Sequence, residues 1–285
     1  MIQRPTNPIV YFANDTSKYH GGSKAVCKYI HASVARAGWD LVRETNTRQI
    51  EQDIISQSDA VLVNGEGTIH DNKPRARHLL EILKFAQSLG KKTYLCNASW
   101  HNMNCDYDKT LKQLDQICVR ETHSQKELQK KHGINPELFI DLSYWSPETA
   151  QPIEEDIRFL ASDFYCNTFD CFVKPMGGAL SDLPFLDMRA ISWQETLNQV
   201  AASKVFICGR FHGFLAACKS QTRFIVFPGN THKIEGMLDW FGNSYPLETD
   251  VAKLLPRAKT THRNAQFYSE FFDWIASQDR WEFKG

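Results

Sequence analysis

Apolar residues along this chain fall into two alternating patterns: short unbroken runs, and longer stretches where they recur every three or four positions. A short unbroken run reads as a strand buried on both faces, the habit of parallel sheets. Such runs occupy residues 8–14 (PIVYFAN), 60–64 (AVLVN), 92–97 (KTYLCN), 117–120 and 138–141 (LFID), with a shorter one at 41–43. The stretches between them carry helical spacing. Residues 24–37 place Val26, Ile30 and Val34 on one face, and 50–58, 74–89, 111–116 and 122–132 follow. Pro74 opens the third of these helices and Gly90 stops it, while Gly133 closes the last. Strand and helix alternating in this way predict a doubly wound parallel sheet.

Residues 146–155 (SPETAQPIEE) hold two prolines and little that is apolar, which reads as a linker. Beyond it the alternation resumes. Strands are expected at 157–162, 171–174 and 190–192, and a helix at 194–203 with Thr196, Leu197 and Val200 inward. Next come a buried strand at 205–208, a helix at 211–219, a strand at 223–227, a turn through Pro228, Gly229 and Asn230, and a helix at 233–242. A strongly apolar amphipathic helix at 264–278 (NAQFYSEFFDWIASQ) must bury its face and is expected to pack back on the first domain. The expected organisation is therefore a Rossmann-like domain at 1–150, a second at 151–262, and a returning helix within 263–285.

Length and composition narrow the class. At 285 residues the chain exceeds the usual single-domain size. Its 42% apolar and 23% charged residues are those of a globular protein. The 33 basic and 33 acidic side chains cancel, so no chain-wide basic field for nucleic acid exists, although a local anion pocket is compatible with that balance. No apolar run is long enough to span a bilayer, and MIQRPTNPIVYF lacks the apolar core of a signal peptide. The expectation is a cytoplasmic protein with at most peripheral contact at the inner face of the membrane. The eight cysteines lie largely in apolar periodic segments and form no C-x-x-C pair, so they read as reduced thiols and no metal ligand set is legible.

Polar clusters sit where strands should end. In open α/β sheets ligands gather beyond the carboxyl ends of the strands. Gly209, Arg210 and His212 follow one strand, and Asn230, His232 and Lys233 follow the next; their Arg, His and Lys side chains can carry positive charge, so they suit an anion. Near the N-terminus, His20, Gly21, Gly22 and Ser23 precede a helix, where backbone N–H groups can approach an anionic ligand. After the strand at 60–64 comes Gly65-Glu66-Gly67-Thr68-Ile69-His70. That loop either presents Glu66 and His70 to a cleft or is a turn whose Glu66 caps the following helix. Trp100 lies in an aromatic, polar loop and, with Trp145 and Trp240, offers a platform for stacking on sugar. No dinucleotide fingerprint or Walker loop occurs.

With these motifs placed, VNGEGTIH at 63–70, VRETHSQKEL at 119–128 and GRFHGFLAACKSQTRFIVFPGNTHKIEGML at 209–238 resemble the polysaccharide pyruvyl transferase family. The resemblance covers roughly residues 8–242. It implies a fold like that of GT-B glycosyltransferases, two Rossmann-like domains facing a cleft. It also implies transfer of a carboxyethylidene group from phosphoenolpyruvate onto two sugar hydroxyls as a ketal. Arg210 and His212 match the family's Arg-x-His, which implies contact with the donor's carboxylate or phosphate. Arg120 matches the Arg of the V-R segment, an implied second anion contact, and Lys233 matches a downstream Lys of unassigned role. The chain departs from the family in two loops. It has Tyr19-His20-Gly21-Gly22-Ser23 where relatives have Asn-x-Gly-Asp, and Gly-Glu-Gly where many have three glycines.

The chemistry fits these residue types. A donor with a carboxylate and a phosphate calls for several cations, Arg above all. Ketal formation needs a proton for the methylene carbon and a base for each attacking hydroxyl. His212 and His70 titrate in the right range, and Glu66 offers a carboxylate base. Neither cofactor nor metal is required. One alternative is a GT-B glycosyltransferase using a CMP- or UDP-linked sugar, which needs the same anion pocket. Another is a non-catalytic carbohydrate-binding subunit. The expected partners are a small-molecule donor and a sugar or lipid-linked oligosaccharide acceptor, with no nucleic acid.

Overall fold

The computed structural model describes residues 7–16, 19–45, 49–151, 157–175, 180–242, 247–250 and 265–285. Its contacts divide the chain into two compact units. The first comprises Met1–Lys18, Val26–Leu142 and Asp279–Gly285; the second comprises Tyr19–Ala25 and Ser143–Gln278.

The first unit is built on a six-stranded, wholly parallel sheet. Its strands are β1 (Ile9–Ala13), β2 (Asp40–Thr45), β3 (Ala60–Asn64), β4 (Lys92–Ala98), β5 (Gln116–Val119) and β6 (Glu137–Leu138), in spatial order β2-β1-β3-β4-β5-β6. Both β1 and β3 are buried at every position, which is why they read as unbroken apolar runs rather than alternating ones. Helices α1 (Gly21–Arg36), α2 (Gln52–Gln57), α3 (Pro74–Ser88), α4 (Asp108–Lys112) and α5 (Thr122–Glu127) form the crossovers. Helix α5 runs on as a π-turn, Leu128–His132, and ends at Gly133 with φ +64°. The core beneath α3 is packed from Leu79, Leu80, Leu83, Val61, Val63 and Leu95. Because β2 lies on one side of β1 and β3 on the other, the winding reverses between β1 and β3. The carboxyl ends of those two strands are thus the topological switch point, where such sheets open a crevice.

The second unit carries a parallel three-stranded sheet, β11-β10-β7, from β7 (Ile157–Ala161), β10 (Ser203–Cys208) and β11 (Phe224–Val226). Around it lie α6 (Trp193–Ala202), α7 (Phe211–Ser220), α8 (Lys233–Trp240) and α9 (Ala265–Ala276). The first turn of α1 belongs to this unit, while the rest of that helix belongs to the first.

Several expectations need correction. Residues 171–174 do not extend the parallel sheet: β9 (Cys171–Val173) pairs antiparallel with β8 (Phe164–Cys166) in a hairpin of its own. Residues 190–192 form no strand. Ser192 caps α6 in a reciprocal capping box with Glu195. The helix expected at 111–116 ends at Lys112, and Gln116 already belongs to β5. The C-terminal helix packs on the second unit rather than the first. The Phe267 ring meets Phe224 at 5.2 Å, and Tyr268 donates its hydroxyl to Ala217 O at 3.1 Å. The first unit instead gains the tail after the helix. There Trp281 is fully buried, its carbonyl accepts from Tyr29 Oη at 3.0 Å, and Phe283 packs edge-on against Tyr94. The boundary expected at 262 lies outside the described residues. No described helix is long and apolar enough to cross a membrane.

Candidate active site

In the first unit, Glu66 stands at the switch point. Asn14, just past β1, and Asn64, the last residue of β3, are joined by a bond from Asn64 Nδ2 to Asn14 Oδ1 at 3.0 Å. Glu66 Oε2 accepts from Thr16 Oγ1 at 3.2 Å and Asn64 Nδ2 at 3.4 Å. The capping alternative fails: α3 begins at Pro74 after Lys73, and no side chain caps it. Gly67 holds φ +62°, a left-handed conformation that favours glycine, and Gly65 packs against Ala98. His70 is buried, with Nδ1 2.8 Å from Asp71 Oδ2.

A pocket of about 890 Å³ opens beside this loop, lined by Gly67, Thr68, His70 and the first turns of α3. It gathers Lys73, Arg75, Arg77 and His78 against two carboxylates, Asp15 and Glu81. Burial pushes the Asp15 carboxyl up to about 6, with Thr68 and Arg75 pulling the other way. Sequence reasoning missed these cations because helical spacing alone reads them as a solvated face.

Arg120 follows β5 in the same unit, beside the glycine loop, and is almost wholly buried. Its Nη1 donates to Asp141 Oδ2 at 2.5 Å and its Nε to Ser99 Oγ at 2.8 Å. Trp100 is no sugar platform. It is completely buried, and its indole N–H donates to His132 Nε2 at 3.1 Å.

The second unit repeats the Arg120 arrangement. Arg210 occupies the N-cap position of α7 at the end of β10, and Asp163 follows β7, the strand beside it. Arg210 Nε and Nη2 donate to the two oxygens of Asp163 at 2.6 and 2.5 Å, and Nη1 donates to Tyr19 Oη at 3.0 Å. The guanidinium also stacks on Phe172, 4.1 Å from the ring centroid. Burial works against the charge, yet the Asp163 carboxylate outweighs it and holds the group above its ordinary value. Neither Asp163 nor Asp141 was foreseen as a partner.

His212 lies in the first turn of α7, with its ring 4.7 Å from that of His20. The backbone of Gly22, in the first turn of α1, crosses so close that an added Cβ would come within 2.6 Å of the His212 ring. Gly21 N–H donates to Met188 O at 3.0 Å, and Ser23 N–H donates to His20 Nδ1 at 3.3 Å. Two helix N-termini thus meet at a pair of imidazoles, an arrangement that favours negative charge. Gly209 packs against Phe164. At the end of β11, Lys233 is buried and donates to Asn230 Oδ1 at 2.5 Å, while His232 is the half-buried N-cap of α8.

A sequence model of the polysaccharide pyruvyl transferase family matches residues 4–231, a span that takes in the glycine loop, Arg120, Arg210 and His212. The chain belongs to this family. It is accordingly a transferase that modifies polysaccharide. Comparison with curated protein sequences finds no match. Among solved structures, the family member is similar to a functionally uncharacterised protein from Klebsiella pneumoniae, at 14% identity and TM-score 0.57 over 86% of this chain and 94% of that one. It is also similar to an α-glucosyltransferase in complex with UDP and a 13-mer DNA, at 9% identity and TM-score 0.48 over 96% of each chain. A T4 phage BGT mutant in complex with UDP-glucose aligns at 11% identity and TM-score 0.46, over 94% of this chain and 95% of that one.

Proposed function

We propose that this transferase moves the carboxyethylidene group of phosphoenolpyruvate onto two hydroxyls of a sugar. The observation that carries the reading is the meeting of α1 and α7 at His20 and His212, the latter in the Arg210-Phe211-His212 segment that resembles the family's Arg-x-His. A donor bearing carboxylate and phosphate suits two helix N-termini flanked by Arg210 and Lys233. Both sugar oxygens bond to C2 of the donor and the C2–O bond to phosphate breaks. The methylene carbon takes up one hydroxyl proton and the departing phosphate takes the other. An imidazole at His212 suits proton delivery to the methylene carbon. In this reading the first unit serves the acceptor, and the cations lining its pocket suit one that itself carries negative charge.

The test is thermal stabilisation of the purified protein by phosphoenolpyruvate, CMP and UDP in parallel. A ligand at about 100 times its dissociation constant adds roughly 2.7 kcal/mol, an easily measured shift. The expected result is a shift with phosphoenolpyruvate that disappears in Arg210→Ala. A shift with CMP or UDP alone overturns the reading in favour of a nucleotide-sugar donor.

A further inference from the structure

In the first unit, away from the groups just described, three side chains converge between α1 and β2. Cys27 and His31 lie one helical turn apart on the same face of α1, and Glu44 projects from β2, the edge strand. Cys27 Sγ is 3.5 Å from His31 Nε2 and 3.1 Å from Glu44 Oε1, and His31 Nε2 is 3.0 Å from Glu44 Oε2. The same imidazole nitrogen faces both the sulfur and the carboxylate. That distinguishes the trio from a nucleophile–base–carboxylate relay, in which the carboxylate holds the far nitrogen and the near one faces the thiol. Here each of the three offers a ligand atom, and the three atoms lie within 4.8 Å of one another.

We propose that Cys27, His31 and Glu44 form a binding site for a thiophilic divalent cation, Zn²⁺ foremost. Zinc takes thiolate, imidazole and carboxylate ligands at about 2.3, 2.0–2.1 and 2.0–2.2 Å, so tetrahedral donors stand roughly 3.3–3.6 Å apart. The three observed separations fall within about half an ångström of that range, and closing on an ion needs only small side-chain adjustments. Binding replaces the Cys27 thiol proton, which passes to solvent, and leaves the imidazole neutral with its proton on Nδ1. The fourth position is open. His31 is 44% and Glu44 24% exposed at the side chain, so water or another small ligand reaches it. The outer shell is also in place. Asn14 Nδ2 donates to Glu44 Oε1 at 3.2 Å, and the Phe12 ring stands edge-on to His31 at 5.9 Å. Through Asn14 and Asn64 the carboxylate ligand is linked to the switch-point loop that carries Glu66. The ion would brace α1 against β2 while leaving the acid–base groups untouched.

The test is equilibrium dialysis of the full chain against Zn²⁺ with elemental analysis, paired with Co²⁺ titration to observe thiolate-to-metal charge transfer. We expect one zinc per chain and a thiolate–cobalt band. Both should be lost in Cys27→Ser, and affinity should fall at least tenfold in His31→Ala, whose exposed side chain is dispensable for folding. A second cluster, Cys105 with Asp108 and His132, supplies the control, and Cys105→Ser should leave binding unchanged. Absence of stoichiometric zinc, zinc retained in His31→Ala, or zinc lost in Cys105→Ser but kept in Cys27→Ser would each overturn the assignment.

Discussion

Asp163 engages the Arg210 guanidinium with both carboxylate oxygens, while Phe172 covers its face at 4.1 Å. The guanidinium at the mouth of β10 is therefore held charged and oriented before any anion arrives. Removing one member of a buried pair leaves the other charge uncompensated, at a cost of roughly 3–5 kcal/mol. Asp163→Asn should accordingly destabilise the fold by about that much in urea denaturation. The double replacement Arg210→Met with Asp163→Leu should cost less than Asp163→Asn alone, although it should be inactive. A double variant less stable than the single one would show that the pair itself, and not the uncompensated charge, holds the unit together.

Gly22 limits what the donor site tolerates. A methyl group there would come within 2.6 Å of the His212 ring, so the imidazole must swing away. Gly22→Ala should lower turnover at least tenfold and also lower the melting temperature, because the new methyl meets the buried His212 Cβ at 2.8 Å as well as its ring. Unchanged turnover would remove His212 from the reacting centre.

Asp15 gives a pH dependence with a definite sign. Burial raises its carboxyl from 3.8 to about 6 in the folded protein. Between these values the native state binds more protons than the unfolded chain, so this group's contribution to stability declines as pH rises from about 4 to 6. Above pH 6 the ionised form costs on the order of 2–3 kcal/mol. Asp15→Asn should therefore melt higher than wild type at pH 7, and the difference should vanish near pH 4. A variant that melts lower at pH 7 would mean that Arg75 and Thr68 outweigh the burial.

The tail carries much of the first unit's outer packing. Trp281 is fully buried, so Trp281→Ala should cost about 3–5 kcal/mol, measured by the loss of cooperative unfolding at lower denaturant. The indole N–H makes no hydrogen bond among the described residues, so Trp281→Phe should cost markedly less.

Much of this was legible in sequence, because strands buried on both faces cannot hide their apolar runs. The runs at 8–14, 60–64 and 92–97 became β1, β3 and β4, and the polar residues after them fell at the carboxyl ends of the sheet. What failed did so for identifiable reasons. At 190–192 a short apolar run outweighed Ser192-x-x-Glu195, a capping box that was visible in the chain. At 264–278 the apolar face was recognised, but its direction was not, since periodicity says that a face is buried and not against what. The partners Asp141 and Asp163 stand 21 and 47 residues from their arginines, and only strand order brings them together. Trp100 stood among polar neighbours, and nothing in its vicinity announced His132. Cys27 and His31 were one turn apart on a helix already recognised, yet Glu44 joins them only once β2 is laid beside β1.

The placement of Asp279–Gly285 also bears on how the chain is made. Tyr29, Ser33 and Tyr94 receive their covering residues from this segment, through the Trp281 carbonyl, Glu282 and Phe283. A ribosome adding about 5–20 residues per second must therefore translate the whole of Ser143–Gln278 before the first unit can close. During that interval the emerging sheet keeps an apolar flank open to solvent. The first unit, most of whose residues are made first, is therefore the last to complete its packing, and that step waits until Asp279–Gly285 has left the ribosome.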